Sequence, residues 1–376
     1  MLNHTIFSMM KTLRFIFFII LSMLMPSNYI NAHTQMSMSR QHLSTIAALE
    51  AKGDLQHLEK AINNGLDAGL TVNQIKEALS QLYAYTGFPR SLNALGVLQR
   101  VISQREEQGV TTTIGADAAP LPQDYDALKQ GTEVQTRLTG QPFNYEFAPQ
   151  TDYYLKAHLF GDIFARNTLS EAEREIVTVS AISALEGCEP QLIAHVRGAR
   201  NMGVTDDEIH AIPSVLASTV GAVEAWRARK AIATVYGEKL DDEGRPNDGT
   251  WPRGDYNAEY AQYFIGSSYL APLDSENGGP VNVTFEPGCR NNWHIHHKAV
   301  QVLICVDGRG WYQEWGKSPV ELKPGVVIAI PEGVKHWHGA ARDCWFQHIT
   351  YMTKVQNGSS TDWLEPVNDD IYNKLP

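Results

Sequence analysis

The chain has 376 residues, enough for two or three domains, and its 43% hydrophobic and 19% charged content are those of an ordinary globular protein. Thirty-one Lys and Arg face 42 Asp and Glu, a net charge of −11. That acidity argues against nucleic acid and anionic membrane surfaces as partners and leaves a small-molecule substrate as the expected one.

The chain opens on Lys11 and Arg14 followed by the apolar run Phe15–Met25. Eleven residues suit the core of a signal peptide better than a bilayer span. Cleavage after Ala32 is predicted, although Ile30 at the −3 position is not ideal, and an uncleaved anchor is the rival reading. Losing residues 1–32 removes two basic and no acidic side chains, taking the net charge to −13. The expectation is an exported protein, periplasmic or secreted, with no membrane contact after cleavage. No later segment is apolar for long enough to cross a membrane.

Residues 36–107 carry apolar side chains at helical spacing, with Gly69 closing one helix and Thr71 placed to cap the next. Residues 108–150, rich in Thr, Gly, Pro and Asp, read as a connector, and residues 151–236 are helical again. A shift of 134 residues superimposes Gly53 on Gly187, Gly69 on Gly203, Thr71 on Thr205, Ile75 on Ile209 and Gly87 on Gly221. An internal duplication is the economical explanation, with two copies burying one continuous core.

Residues 237–264 read as a polar linker broken by Gly and Pro. From residue 265 to 355 the pattern changes to short runs such as VNVTF, VQVLICV and VVIAI between Gly/Pro turns, which predicts an antiparallel barrel or sandwich. Residues 356–376 read as a polar tail wrapping the outside.

Within the barrel segment, His294 and His296 are two apart on a strand and so share a face. Gln301 lies an odd number of residues beyond His296, so a turn near His297–Ala299 must re-aim it. His336 arrives from a later hairpin. Three imidazoles and one amide oxygen form a candidate transition-metal site. Being neutral, they leave a divalent ion its full charge, which suits an alkoxide, enolate, carboxylate or cyanide ligand and points toward lyase chemistry at a carbonyl. His338 is in phase with His336, and His348 is placed to point inward; both are candidate proton carriers. His297 alternates with the ligands and should face away. Trp293, Trp311 and Trp337 read as core or rim packing that would also give the site an apolar mouth.

These spaced residues, from Gly288 through His294, His296, Gln301 and Gly308, then Gly325, Pro331, Gly333 and His336, resemble the two motifs of the cupin superfamily. Most cupins place Glu where this chain has Gln301. That departure, with KHWHGAA and DWLEP, is similar to the manganese-dependent hydroxynitrile lyase-type cupins. The resemblance implies one divalent metal, with Mn(II) or Fe(II) favoured and Zn, Ni or Co as alternatives. A non-catalytic, ligand-binding cupin is a further reading.

The helical stretch LSEAEREIVTVSAISALEGCEPQLIAHVRGARNMGVTDDEI resembles the carboxymuconolactone decarboxylase family, which includes alkylhydroperoxidase D. Cys188 and His195 match the first Cys and the His of the latter's Cys-x-x-Cys-x-x-x-His motif, and Glu175 lies near its upstream Glu. Gln191 stands at the second Cys position, where an amide cannot replace a thiolate nucleophile, so two-cysteine peroxiredoxin turnover is not expected. Glu175 or Glu186, with Cys188 and His195, remains a candidate acid–base set for a lactone or enol acid. The first repeat has Asp54, His57 and Ala61 at the positions of Cys188, Gln191 and His195, and so no comparable site. The resemblance also implies a homo-oligomer.

The expected fold is therefore multidomain α + β: a duplicated all-α carboxymuconolactone decarboxylase-like region, then an all-β cupin jelly-roll barrel. Of the four cysteines, Cys289 and Cys344 flank strands and could pair, buried thiols being the favoured alternative.

Overall fold

The computed structural model describes residues 36–240, 250–274 and 279–375. The expected signal peptide lies outside them. Among the described residues no helix is long and apolar enough to cross a membrane.

The helical half begins with α1 (Met38–Lys52), α2 (Leu55–Asp67), α3 (Val72–Thr86) and α4 (Phe88–Glu107). After α5 (Ala127–Thr139), α6 (Pro149–Tyr153) and a π-helical segment (Tyr154–Ile163), the pattern repeats in α7 (Glu171–Ser183), α8 (Glu189–Asn201), α9 (Asp206–Thr219) and α10 (Ala222–Tyr236). The starts of α2 and α8, of α3 and α9, and of α4 and α10 are each 134 residues apart. Thr71 and Thr205 both close capping boxes, with Gln74 and Glu208 respectively. Segment 108–150, expected as a connector, thus contains a helix. The repeats share one apolar core, containing Leu43, Ile46, Ile75, Leu79, Ile176, Val179, Ile209 and Ile212. Buried polar groups also cross between them. Arg174, fully buried, pairs with Glu77 at 2.8 Å, and Gln81 Nε2 donates to Thr178 Oγ1 at 2.9 Å.

The remainder is β-structure: β1 (Asp255–Tyr256), β2 (Phe264–Ile265), β3 (Ser268–Pro272), β4 (Val281–Phe285), β5 (Arg290–Asn291), β6 (His294–His297), β7 (Val300–Gly308), β8 (Gly310–Glu314), β9 (Val320–Leu322), β10 (Val327–Ile330), β11 (His336–Ala340), β12 (Phe346–Thr353) and β13 (Ser360–Trp363), ending in the short helix α11 (Asp369–Tyr372). One sheet runs β1-β3-β4-β12-β7-β10. The other runs β13-β6-β11-β5-β2, with β8 and β9 attached through β11. All pairs are antiparallel, and the sheets curl around Phe285, Leu303, Cys305, Ile330 and Phe346. The segment expected as a linker supplies β1 and the first residue of β2, and the segment expected as an outer tail supplies β13. The tail also buries Val367, Tyr372 and Leu375 against Trp293, Trp311 and Trp337.

The two halves meet directly. Gly288 has φ 81°, and a Cβ there would fall 2.9 Å from the Ala222 Cβ, so only glycine permits both the turn and the approach. Lys52 pairs with Glu224 at 2.9 Å and Asp369 at 2.8 Å, while Lys230 pairs with Glu286 at 2.9 Å. Cys188, Cys289, Cys305 and Cys344 are thiols, so the Cys289–Cys344 pairing does not occur.

Candidate functional site

Strand β6 has alternating burial: His294 and His296 point into the barrel, while Ile295 and His297 are less buried. His297 Nε2 faces outward to Asp362 at 2.8 Å. The turn that re-aims Gln301 is present: Lys298 takes a left-handed backbone, φ 56°. His336 lies directly opposite His294 across the β6–β11 ladder. The four predicted donors converge. Gln301 Oε1 is 3.0 Å from His296 Nε2 and 3.2 Å from His336 Nε2, and the rings of His294 and His336 have centroids 4.1 Å apart.

Each imidazole is fixed from behind. Nδ1 of His294 donates to the Asn292 carbonyl and Nδ1 of His336 to the Val334 carbonyl, both at 2.9 Å; His296 Nδ1 bonds Thr361 Oγ1 at 2.9 Å. A carbonyl only accepts, so the proton of His294 and of His336 sits on Nδ1, and Nε2 presents a lone pair. Burial keeps the rings neutral. It draws the His294 pKa well down, helped by His336 and His296, lowers His296, and takes His336 to about 4. At His336, then, a nitrogen lone pair faces the Gln301 carbonyl oxygen at 3.2 Å. With the Gln301 amide in this orientation the two acceptors repel, and a cation between them relieves that repulsion. Outward-anchored Nδ1 atoms with inward Nε2 atoms are the usual outer arrangement of metal-ligating histidines. The donor set suits a divalent metal.

His338 shares the His336 face, as its phase predicts. His294, His336 and His338 can each offer a ring nitrogen within 4.8 Å of the others'. Asn291 orients His338: its Oδ1 accepts the His338 backbone N–H at 2.9 Å, and its Nδ2 lies 3.1 Å from the ring Nε2. The His348 ring lies 4.9 Å from that of His338, centroid to centroid. Neither His348 nitrogen has a hydrogen-bond partner of normal geometry. Burial takes its pKa to about 3, against a small opposing pull from the Ile349 backbone.

Trp293, Trp311 and Trp337 are core packing, as expected, and do not form the apolar mouth that was also expected of them. Trp337 is fully buried and donates through Nε1 to Gln313 Oε1 at 3.0 Å, and Trp293 packs against Trp315 beneath the tail. An aromatic that does lie beside the ligand histidines is Trp363, 4.7 Å from His294 and stacked on Tyr263 at 4.7 Å and 5°. Trp363 and Thr361 come from β13, which pairs with β6 so that Trp363 sits opposite His294 and Thr361 opposite His296.

In the helical half, Glu175 is fully buried on α7 and its Oε2 lies 2.9 Å from His195 Nδ1 on α8. Its second oxygen, Oε1, has no partner. The first repeat contributes Tyr85, whose ring meets the His195 imidazole edge-on at 5.5 Å. Burial and the Glu175 charge push the Tyr85 phenol pKa upward. Cys188, half-buried, is the N-cap of α8 and makes no capping hydrogen bond. It sits two turns before His195. Glu186 is exposed in the turn between α7 and α8, so Glu175, and not Glu186, is the acid that meets His195.

Residues 26–100 and 149–234 match the model of the carboxymuconolactone decarboxylase family, and residues 281–344 match that of the cupin domain. The (R)-mandelonitrile lyase of Granulicella tundricola is 37% identical over 118 residues, covering 30% of this chain and 88% of that enzyme. The 4-carboxymuconolactone decarboxylase of Acinetobacter baylyi is 31% identical over 97 residues, covering 23% of this chain and 69% of that enzyme. The chain belongs to the carboxymuconolactone decarboxylase family and carries a cupin domain. A cupin-like protein from Thermotoga maritima is 39% identical, with 34% of this chain and 96% of that chain covered, at a TM-score of 0.31. With lyase- and decarboxylase-named relatives on its two halves, the chain is a cupin lyase-like enzyme in class. Its cupin half holds the His–Gln cluster, and its decarboxylase-family half holds the Glu175–His195 pair.

Sequence reasoning missed Thr361, Trp363 and Tyr263, Asn291 beside His338, and Phe285 and Phe346 beside His348. DWLEP carried a signal for Trp363, an aromatic interrupting an otherwise polar stretch. Tyr85 was missed because it comes from the other repeat.

Proposed function

We propose that the cupin domain is a metal-dependent lyase site for a small carbonyl-containing molecule, of the hydroxynitrile lyase or decarboxylase type. One observation carries the reading: the His336 Nε2 lone pair and Gln301 Oε1 face each other at 3.2 Å in a buried site where His294 and His296 also turn Nε2 inward. His294, His296, Gln301 and His336 would hold the ion, Mn(II) or Fe(II) by preference, with Zn, Ni or Co as substitutes. A bound divalent metal supplies Lewis acidity toward a substrate oxygen.

The chain's own side chains do the rest. Breaking a carbon–carbon bond beside a hydroxyl removes the hydroxyl proton while the bonding pair leaves with the departing group. His348, with no hydrogen-bond partner of normal geometry on either nitrogen, and its neighbour His338 are placed to receive that proton and return it to the leaving group. Asn291 fixes the His338 ring. Phe285 and Phe346, buried beside His348, exclude water. The test is a screen of cyanohydrins and small keto or hydroxy acids with and without chelator. Turnover that vanishes with chelator and returns with Mn(II) or Fe(II) supports the reading; turnover indifferent to chelator overturns it.

A second reading is favoured by the Glu175–His195 pair and the unpartnered Glu175 Oε1. It places carboxymuconolactone decarboxylase or peroxiredoxin-type activity in the helical half. Turnover would then fail in Cys188→Ser or His195→Ala and survive chelation. Export by a signal within residues 1–32 and assembly into a homo-oligomer belong to the same proposal. Sequencing the mature amino terminus and measuring the solution mass test them.

A further inference from the structure

A cavity of about 360 Å³ opens where the cupin domain meets the second helical repeat. From the helical side it is lined by Ala222, Trp226 and Arg229 of α10. From the cupin side come Arg309, in the turn between β7 and β8, and Arg342 and Asp343, between β11 and β12. Three guanidinium groups therefore share one cavity with one carboxylate, in a chain whose net charge is −11. Asp343 is engaged by Arg309 at 2.6 Å. Arg342 donates to the Asn373 carbonyl at 3.1 Å, a neutral partner that leaves its charge uncompensated. Arg229 is exposed. The neighbouring carboxylate Glu286 is held by Lys230 at 2.9 Å and does not neutralise the cavity.

Two more features act in the same direction. Ala222 is the first residue of the 15-residue helix α10, whose amino-terminal end carries partial positive charge; the carboxylate in its first turn, Glu224, is paired with Lys52 at 2.9 Å. Trp226 is 3% exposed, and its indole Nε1 is buried without a hydrogen-bond acceptor. Such a donor costs stability unless something accepts from it. The remaining lining, Ala217 and Ala225 among it, is small and apolar.

We propose that this cleft is a binding site for a small organic oxyanion, a carboxylate or phosphate with a compact apolar body. The guanidinium groups of Arg229, Arg309 and Arg342 hold the oxyanion, since their planar forks match its geometry. The Trp226 indole N–H is a further donor to the oxyanion, and the Trp226 ring and the alanines take the apolar part. The site exists only where both halves contribute, so the ligand bridges them. It lies apart from the His–Gln cluster and from the Glu175–His195 pair, and rests on neither reading of the activity.

The test uses the full chain at low ionic strength. Benzoate and inorganic phosphate are titrated separately by calorimetry into the wild type, the Arg229→Ala/Arg342→Ala double variant and His296→Ala. The substituted arginines are exposed, so the variant is expected to fold; its thermal unfolding without ligand verifies this. The expected result is saturable one-to-one binding of at least one probe, weakened at least tenfold in the double variant and kept in His296→Ala. Benzoate binding more tightly than phosphate identifies a carboxylate with an apolar body, and the reverse order a phosphate. Saturable binding of neither probe, or binding equal in the wild type and the folded double variant, overturns the proposal. So does binding lost in His296→Ala alone, which would move the anion to the cupin centre.

Discussion

Lys52 and Asp369 lie 317 residues apart and pair at 2.8 Å, joining the first helix of the described chain to its last. Asp369 also takes Arg290 at 2.6 Å, and Arg290, 1% exposed, stands over the Tyr372 ring at 4.1 Å. One carboxylate thus compensates two cations at the seam between the halves. Asp369→Ala leaves Arg290 buried without its ion partner and should cost about 3–5 kcal/mol, the penalty for breaking a buried pair from one side. Urea unfolding followed by tryptophan fluorescence measures it. A loss below about 1 kcal/mol would show the seam to be solvated.

The same carboxylate sets an acid limit. Burial alone would raise its pKa; the Arg290 and Lys52 charges outweigh burial and hold it below the usual carboxylate range. A depressed folded-state pKa contributes stability that is present above the unfolded value of about 3.9 and is lost as pH falls through the folded value. Asp369→Asn should therefore be less stable than wild type at neutral pH, and the difference should shrink in acid. A gap constant from pH 7 to pH 3 would contradict this.

Glu50 predicts the opposite slope. It is 1% exposed, and burial raises its pKa to about 7 against the Thr86 hydrogen bond and the Arg90 charge. The folded state binds this proton more tightly than the unfolded chain. The stabilisation is full below the unfolded pKa, near 4.5, and is lost as pH rises through 7. Glu50→Gln should remove up to roughly 3 kcal/mol of that dependence and be relatively most favourable above pH 7. Melting temperatures of both proteins from pH 5 to 8.5 give the comparison; parallel curves would refute it.

The duplication was legible because its punctuation is local: glycines at helix ends and threonines at N-caps repeat at a fixed shift and need no tertiary context. The convergence of His294, His296, Gln301 and His336 followed from strand alternation, with the turn at Lys298 correcting the phase. What sequence could not give was set by coverage. Helix α5 buries only Gly131, Gln135 and Leu138, too few to leave an apolar period. Trp293, Trp311 and Trp337 face the side that the tail covers, and nothing in a polar tail shows that it will bury Val367, Tyr372 and Leu375. The choice between Glu175 and Glu186 was hidden because the turn after α7 breaks the helical phase between Glu186 and His195.

His348 gives a kinetic prediction. His348→Ala should lower lyase turnover by about 10²–10⁴, the usual loss on removing a positioned acid–base group, while metal content stays at the wild-type level. Turnover and elemental content are measured on one preparation. Loss of both together would make His348 a support of the metal centre and not a proton carrier.

The central claim is the ion between His336 and Gln301. If the Gln301 amide were turned over, its NH₂ group would donate to both imidazoles and no ion would be needed. Elemental analysis of freshly purified full-length protein, with His296→Ala and Gln301→Ala alongside, separates the two arrangements. The metal-centre account predicts about one divalent metal per chain, lost in both variants. A wild-type protein that stays metal-free after incubation with Mn(II) or Fe(II) would contradict it.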